Sequence, residues 1–295
     1  MTNTSIYYLY FLLSQFMWGL LPAFWMLLRD LTPLYTLASR IVWAAVFCFL
    51  LIMQKHLLSN FKSLLQHKEQ WPYVAGACIL ITVNWGSYIF AVTQGYILQA
   101  SLAYFINPLV VIFFGGLIFH ETVGKLQQLA IAIAATGLLI AFILYGAVPY
   151  LSFLICLSWA SYSLLKKKIT LDSQVSVFIE SFSMVPLSLL FIFWSESTGL
   201  GAAGHLQGLQ WLLLPLTGIV TAVPMMLFSA GVKGIPMTIA GILMYTSPSI
   251  TLLVGLYSGE TITEPMAITF MFAWIAIVLY STGAFRSWKR FRHSS

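Results

Sequence analysis

A bundle of ten membrane-spanning helices, arranged as an inverted repeat of five plus five, is the fold this sequence predicts, on three observations. The 295 residues are 60% hydrophobic and only 7% charged, against about 25% charged in a typical soluble domain. Ten apolar runs follow one another with short polar breaks. Landmark residues of the first half return in the second at a nearly constant offset.

The runs fall at 5–28, 33–53, 71–94, 100–119 and 126–145, and then at 148–165, 175–195, 210–231, 236–257 and 265–284. Each is close to the ~20 residues a helix needs to cross hydrocarbon. Stretches such as Leu109 to Phe119 and Leu126 to Tyr145 are continuous rather than alternating, which excludes a barrel of short amphipathic strands. The first run lacks a basic leader and an Ala-x-Ala site, so it is expected to be the first helix rather than a cleaved signal. The mean hydropathy of +0.91 and the chain length leave no room for a second, soluble domain.

Cations set the expected orientation, because short cytoplasmic loops retain Lys and Arg. Lys55, Lys62, Lys68, Lys125, Lys166, Lys167, Lys168, Lys233, Arg286, Lys289, Arg290 and Arg292 fall on one side, Arg29 on the other, and Arg40 within a span. Both termini are therefore expected in the cytoplasm. The net charge of +6 reads as topology and contact with anionic membrane lipids rather than nucleic-acid binding.

Trp18-Gly19 matches Trp159-Ala160, Asn107-Pro108 matches Ser247-Pro248, and His120-Glu121-Thr122 matches Gly259-Glu260-Thr261, each about 140 residues on. Five helices per half is an odd number, so equivalent helices cross in opposite directions, an arrangement used by transporters. The expected units are 1–146, 147–285 and a basic cytoplasmic tail, 286–295.

Chemistry is sparse. The eight acids are scattered singly, so neither a metal cage nor a two-carboxylate enzyme is expected. Cys48, Cys78 and Cys156 lie in apolar runs without CxxC spacing and read as small buried hydrophobes. GxSxG, HExxH and Walker patterns do not occur, and no cofactor is expected.

Arg40 sits inside the second run, where an arginine costs about 2.5–3.5 kcal/mol at least. It either snorkels outward or bonds helix-end carbonyls, or it attracts an anionic group of a solute or braces a gate. Its match in the other half, Glu180, either pairs with Lys166, Lys167 or Lys168 or is protonated in one conformation. Asn84 and Tyr88 are four apart, and Tyr104 and Asn107 three apart, so each pair shares a helix face. With Trp85, they suit the recognition of a planar, polar-edged solute; they equally suit glue between helices. Trp71, Trp211 and Trp288 read as interfacial anchors. Among the prolines that interrupt spans, Pro108 and Pro248 stand at equivalent places and are expected hinges. Glu121 and Glu260 are expected to cap the helix that follows each, with gating as the other reading.

The strings Asn84 to Val92 and Ser101 to Leu109, supported by Trp18 to Pro22, Arg40 to Trp43 and Tyr162 to Lys167, closely resemble the RarD proteins of the EamA branch of the drug/metabolite transporter superfamily. The resemblance covers most of the chain and is weaker in the last four helices, where Glu180, Pro186 and Gly259-Glu260 carry it. It departs from the usual pattern at Ala103, where glycine is commoner. It implies a bacterial inner-membrane carrier with a central cavity open to one side at a time. The superfamily moves amino acids, metabolites or drugs, and the naming of RarD proteins links them to chloramphenicol.

The expected function is secondary active or facilitative transport by alternating access, exporting a small amphipathic solute such as an amino acid, an aromatic metabolite or chloramphenicol. Its site is expected among Trp18, Arg40, Asn84, Trp85, Tyr88, Tyr104, Asn107, Trp159 and Tyr245. Glu180 is the candidate for proton coupling, with uniport equally open. The alternative is a membrane sensor or assembly subunit that binds a small ligand without moving it. Either a monomer or a homodimer fits.

Overall fold

A computed structural model of the protein describes residues 3–54, 68–94, 96–145, 150–259 and 264–293. Lys55, Lys62, Glu260 and Thr261 lie outside the described residues, as do the side chains of Arg286, Trp288, Lys289, Arg290 and Arg292. The helices are α1 (Asn3–Trp25), α2 (Pro33–Gln54), α3 (Trp71–Thr93), α4 (Ile97–Phe119), α5 (Lys125–Tyr145), α6 (Tyr150–Lys168), α7 (Ser173–Ser197), α8 (Leu213–Gly234), α9 (Met237–Met244), α10 (Thr246–Tyr257) and α11 (Glu264–His293). Eight segments are long and apolar enough to cross a bilayer. Two more crossings are α6, which ends on three lysines, and α11, whose apolar part is Ala267–Gly283. Among the described residues there is no strand.

The run 236–257, expected as one helix, is two in series, broken at Tyr245. Pro248 explains the break. It has no N–H to give the carbonyl of Met244, four residues back, and its ring crowds that carbonyl. Pro108 stands inside an unbroken α4, so the matched prolines have different outcomes.

Side-chain burial is the reverse of a soluble helix. On α7, Ser176, Glu180, Ser181 and Ser188 are buried, whereas Leu187, Leu190 and Phe193 expose 68%, 68% and 70% of their surface. That apolar outer face suits hydrocarbon, where polar groups must turn inward.

Packing comes in matched sets. α1 lies on α8 and α10, while α6 lies on α3 and α4; α2 meets α7, α4 meets α9, and α5 meets α11. Elements related by a two-fold touch their own mates only at the axis. Two such contacts are made: the Trp18 and Trp159 rings are 5.2 Å apart, edge to face, and the Tyr245 hydroxyl donates to the Phe105 carbonyl, 140 residues away, at 3.3 Å. Small residues permit close approach of backbones across the bundle. A Cβ on Gly218 of α8 would lie 2.3 Å from the backbone of Trp43 on α2.

A one-sided cavity with an unpaired arginine

A cavity of about 630 Å³ opens at one end of the bundle, within the ~300–1,000 Å³ range of small-molecule sites. Alternate helices run in opposite directions, so its wall draws on C-terminal parts of α1, α3 and α10 and N-terminal parts of α2, α4 and α6. Arg29 and Leu31, between α1 and α2, and Leu256 near the end of α10 rim its mouth.

Arg40 follows Pro33, the first residue of α2, by two turns, or ~11 Å along the helix. Its guanidinium carbon lies 4.9 Å from the centre of the Trp85 ring and 5.8 Å from that of Trp25, within cation–π range. Its Nε is buried without a hydrogen-bond partner. Among the described residues no carboxylate pairs with it, and the only charged residues in the cavity wall are Arg29 and Arg40. Asn107 Oδ1 and Thr221 Oγ1, also on wall residues, are likewise buried and unpartnered. Buried polar atoms are as a rule satisfied; these three belong to wall residues, and Ser195 Oγ and Ser229 Oγ, away from the wall, are unpartnered too.

The floor is aromatic. Trp18 and Trp159 each lie within ring contact of Phe228, at 5.4 and 5.3 Å, and Phe228 in turn touches Phe11. Beneath it, the Tyr162 hydroxyl donates to Glu180 Oε2 at 2.7 Å, and Lys166 Nζ donates to Glu180 Oε1 at 2.7 Å and to Ser176 Oγ at 2.6 Å. The Lys166 and Glu180 side chains are 0% and 2% exposed. At the far rim Glu121 accepts the backbone N–H groups of Met237 and Thr238, at 2.7 and 2.8 Å, and the Thr238 hydroxyl at 2.9 Å. A carboxylate at a helix N-terminus satisfies orphan donors and the helix dipole together. Lys167 donates to the carbonyls of Val232 and Ile235 where α8 ends, and the backbone N–H of Thr170 donates to Gln70 Oε1 at 3.0 Å. Among the described residues, these polar bonds tie helix ends together at the end of the bundle away from the mouth.

Comparison with known proteins decides the family. The profile of the EamA-like transporter family matches residues 5–143 and again 148–282. The chain belongs to the EamA-like transporter family. The chain is 38% identical over 286 residues to the uncharacterized transporter YojE of Bacillus subtilis, covering 96% of this chain and 95% of that one. It is 30% identical to protein RarD of Escherichia coli K12, over 95% of each. A crystal structure of a protein with 16% identity superposes with a TM-score of 0.71 over 93% of this chain and 96% of the other, which speaks for the fold alone. The protein is a multi-pass bacterial membrane transporter.

Within this transporter, Trp18, Arg40, Asn84, Trp85, Tyr88, Tyr104, Asn107 and Trp159 all line the cavity. Asn84 does so while bonding helices, since its Nδ2 donates to the Ile155 carbonyl at 2.8 Å and to Ser158 Oγ at 3.2 Å. Tyr88 and Tyr104 meet edge to face at 6.1 Å. Tyr245 is not in the wall; it is buried against Phe105. Glu180 is also outside the wall, paired with Lys166 below the floor. Pro248 lines the cavity and Pro108 does not. Glu121 corrects an expectation: it caps α9 in the other half rather than α5, the helix that follows it. Cys48 and Cys156 are buried and Cys78 partly so, all as free thiols.

Sequence reasoning missed Trp25 and Thr221. Trp25 had a usable signal, since it follows Trp18 by seven residues and so shares its helix face. Thr221 shares its apolar run with two other hydroxyls, Thr217 and Ser229, and nothing in the sequence singles it out.

Proposed function

We propose that this transporter carries a small amphipathic organic solute through the cavity by alternating access, with 1–146 and 147–285 as the halves that rearrange and export as the direction. The observation that carries this reading is the one-sided cavity, open beside Arg40 and sealed by an aromatic floor and a polar lock. With the N-terminus and the 286–295 tail in the cytoplasm, as the lysine distribution supports, the mouth faces outward and the lock faces in. The nonpolar part of the solute stacks on Trp18, Trp85 and Trp159, and its polar edge meets Arg40, Asn107 and Tyr104. No reacting group is gathered in the wall, so transport rather than catalysis fits it. Pro248, at the cavity, serves as the hinge with Pro108 as its counterpart.

Counterflow tests the reading without a guessed driving ion. Proteoliposomes are loaded with a mixture of amino acids, aromatic metabolites and chloramphenicol, and each labelled solute is supplied outside at trace level. Transient accumulation of one label, lost in Trp85→Ala, is expected. Absence of accumulation by folded protein that still binds one of these solutes supports a sensor instead.

Glu180 is the coupling candidate as the buried carboxylate paired with Lys166 beneath the floor. Glu180→Gln is expected to abolish uphill accumulation driven by a proton gradient while counterflow persists. Uphill accumulation that survives removes Glu180 from coupling.

A further inference from the structure

We infer that the solute is an organic anion, with a carboxylate or comparable negative group that docks on Arg40. This rests on the transport reading of the cavity and adds the charge of what it takes.

Glu180 and Arg40 occupy positions 140 residues apart in the two halves, yet their surroundings differ. Glu180 has Lys166 at 2.7 Å together with the Tyr162 and Ser176 hydroxyls. Arg40 has two indole faces and a buried Nε with no acceptor. A charge at membrane depth normally finds a counter-charge in the protein; here the protein supplies none among the described residues, so the guest does.

Three further features agree. Among the described residues the wall holds Arg29 at the mouth and Arg40 within, and no Asp or Glu, so the charges that line it favour anions over cations. A guanidinium offers a planar fork of N–H donors that fits a carboxylate edge. The guanidinium carbon lies within cation–π range of both Trp25 and Trp85, contacts that leave a carboxylate's place beside it unfilled by any acid of the wall. The rest of the cavity offers indole and phenol rings to an apolar or aromatic body, a surface that suits neither a bare inorganic anion nor a sugar phosphate.

The test uses three probes of one shape: phenylacetate, its neutral amide phenylacetamide, and the phenethylammonium cation. Binding to the purified protein in nanodiscs is followed by tryptophan fluorescence and by calorimetry. Phenylacetate is expected to bind roughly tenfold or more tightly than the amide, the factor typical of one charge-assisted hydrogen bond, and the cation weakest. In Arg40→Gln the ratio of acid to amide affinity falls toward one. Arg40→Lys, which keeps the charge and loses the fork, retains a reduced preference for the acid and guards against misreading a folding defect. Equal affinities in the wild-type protein, failure of the acid to bind at millimolar concentration, or an acid preference that survives Arg40→Gln would each overturn the inference. Counterflow of the same three probes by wild-type protein separates this from the transport reading. Acid preference in binding with no counterflow leaves the anion site and removes transport; counterflow without acid preference does the opposite.

Discussion

The Lys166–Glu180 pair carries the plainest test at the scale of single residues. Both side chains are out of contact with solvent, and removing one partner of such a pair leaves a bare buried charge, at a cost of about 3–5 kcal/mol. Lys166→Met is therefore expected to lower the thermal midpoint sharply, whereas Lys166→Met combined with Glu180→Leu recovers most of the loss. A double variant as unstable as the sum of the singles would contradict the pairing. Arg40 stands opposite in kind, because its cost is met only in part by two indoles. Residues of this sort were legible in the sequence: a charge, an amide or a paired Trp inside an apolar run is conspicuous because hydrocarbon tolerates so few. What remained hidden was partner choice. Glu121 bonds residues 116 and 117 positions away, and no local pattern encodes which distant helix end a carboxylate will reach.

Among the helices, close packing sets what can change. α8 presses on α2 through Gly218, where an added methyl would lie 2.3 Å from the Trp43 carbonyl carbon and 2.4 Å from its oxygen. Backbone atoms cannot step aside cheaply, so Gly218→Ala is expected to destabilise the protein by about 1–3 kcal/mol, read as a lower thermal midpoint. By contrast, Gly86 has open space at its Cβ position, and Gly86→Ala is expected to leave the midpoint nearly unchanged. Equal effects of the two would contradict the α2–α8 contact. The helices themselves were legible because run length and membrane thickness agree; ends shifted by only a few residues, except that α11 continues to His293, nine residues past the expected 284. The break at Tyr245 was not, since the same proline chemistry leaves α4 continuous around Pro108; what packs around each proline decides between a bend and a break.

For the molecule as a whole, the packing of α1 on α8 is matched by that of α6 on α3, so the proposed second arrangement is the same set of contacts with the halves exchanged. Such equivalence is what allows a site to be exposed to one side and then the other. The inverted repeat was legible through its constant offset, but the direction in which the cavity opens was not, because both arrangements satisfy one sequence. The central claim is that the mouth and the locked end open in turn. Reporter cysteines test it in protein whose three native cysteines are replaced: Thr36→Cys in the cavity wall near the mouth and Thr238→Cys beneath Glu121 at the lock. Without solute, a water-soluble maleimide is expected to label position 36 quickly and position 238 slowly. During turnover of the counterflow solute, labelling at 238 rises as labelling at 36 falls. Rates that rise and fall together, or a position 238 that stays protected throughout turnover, would contradict alternating access.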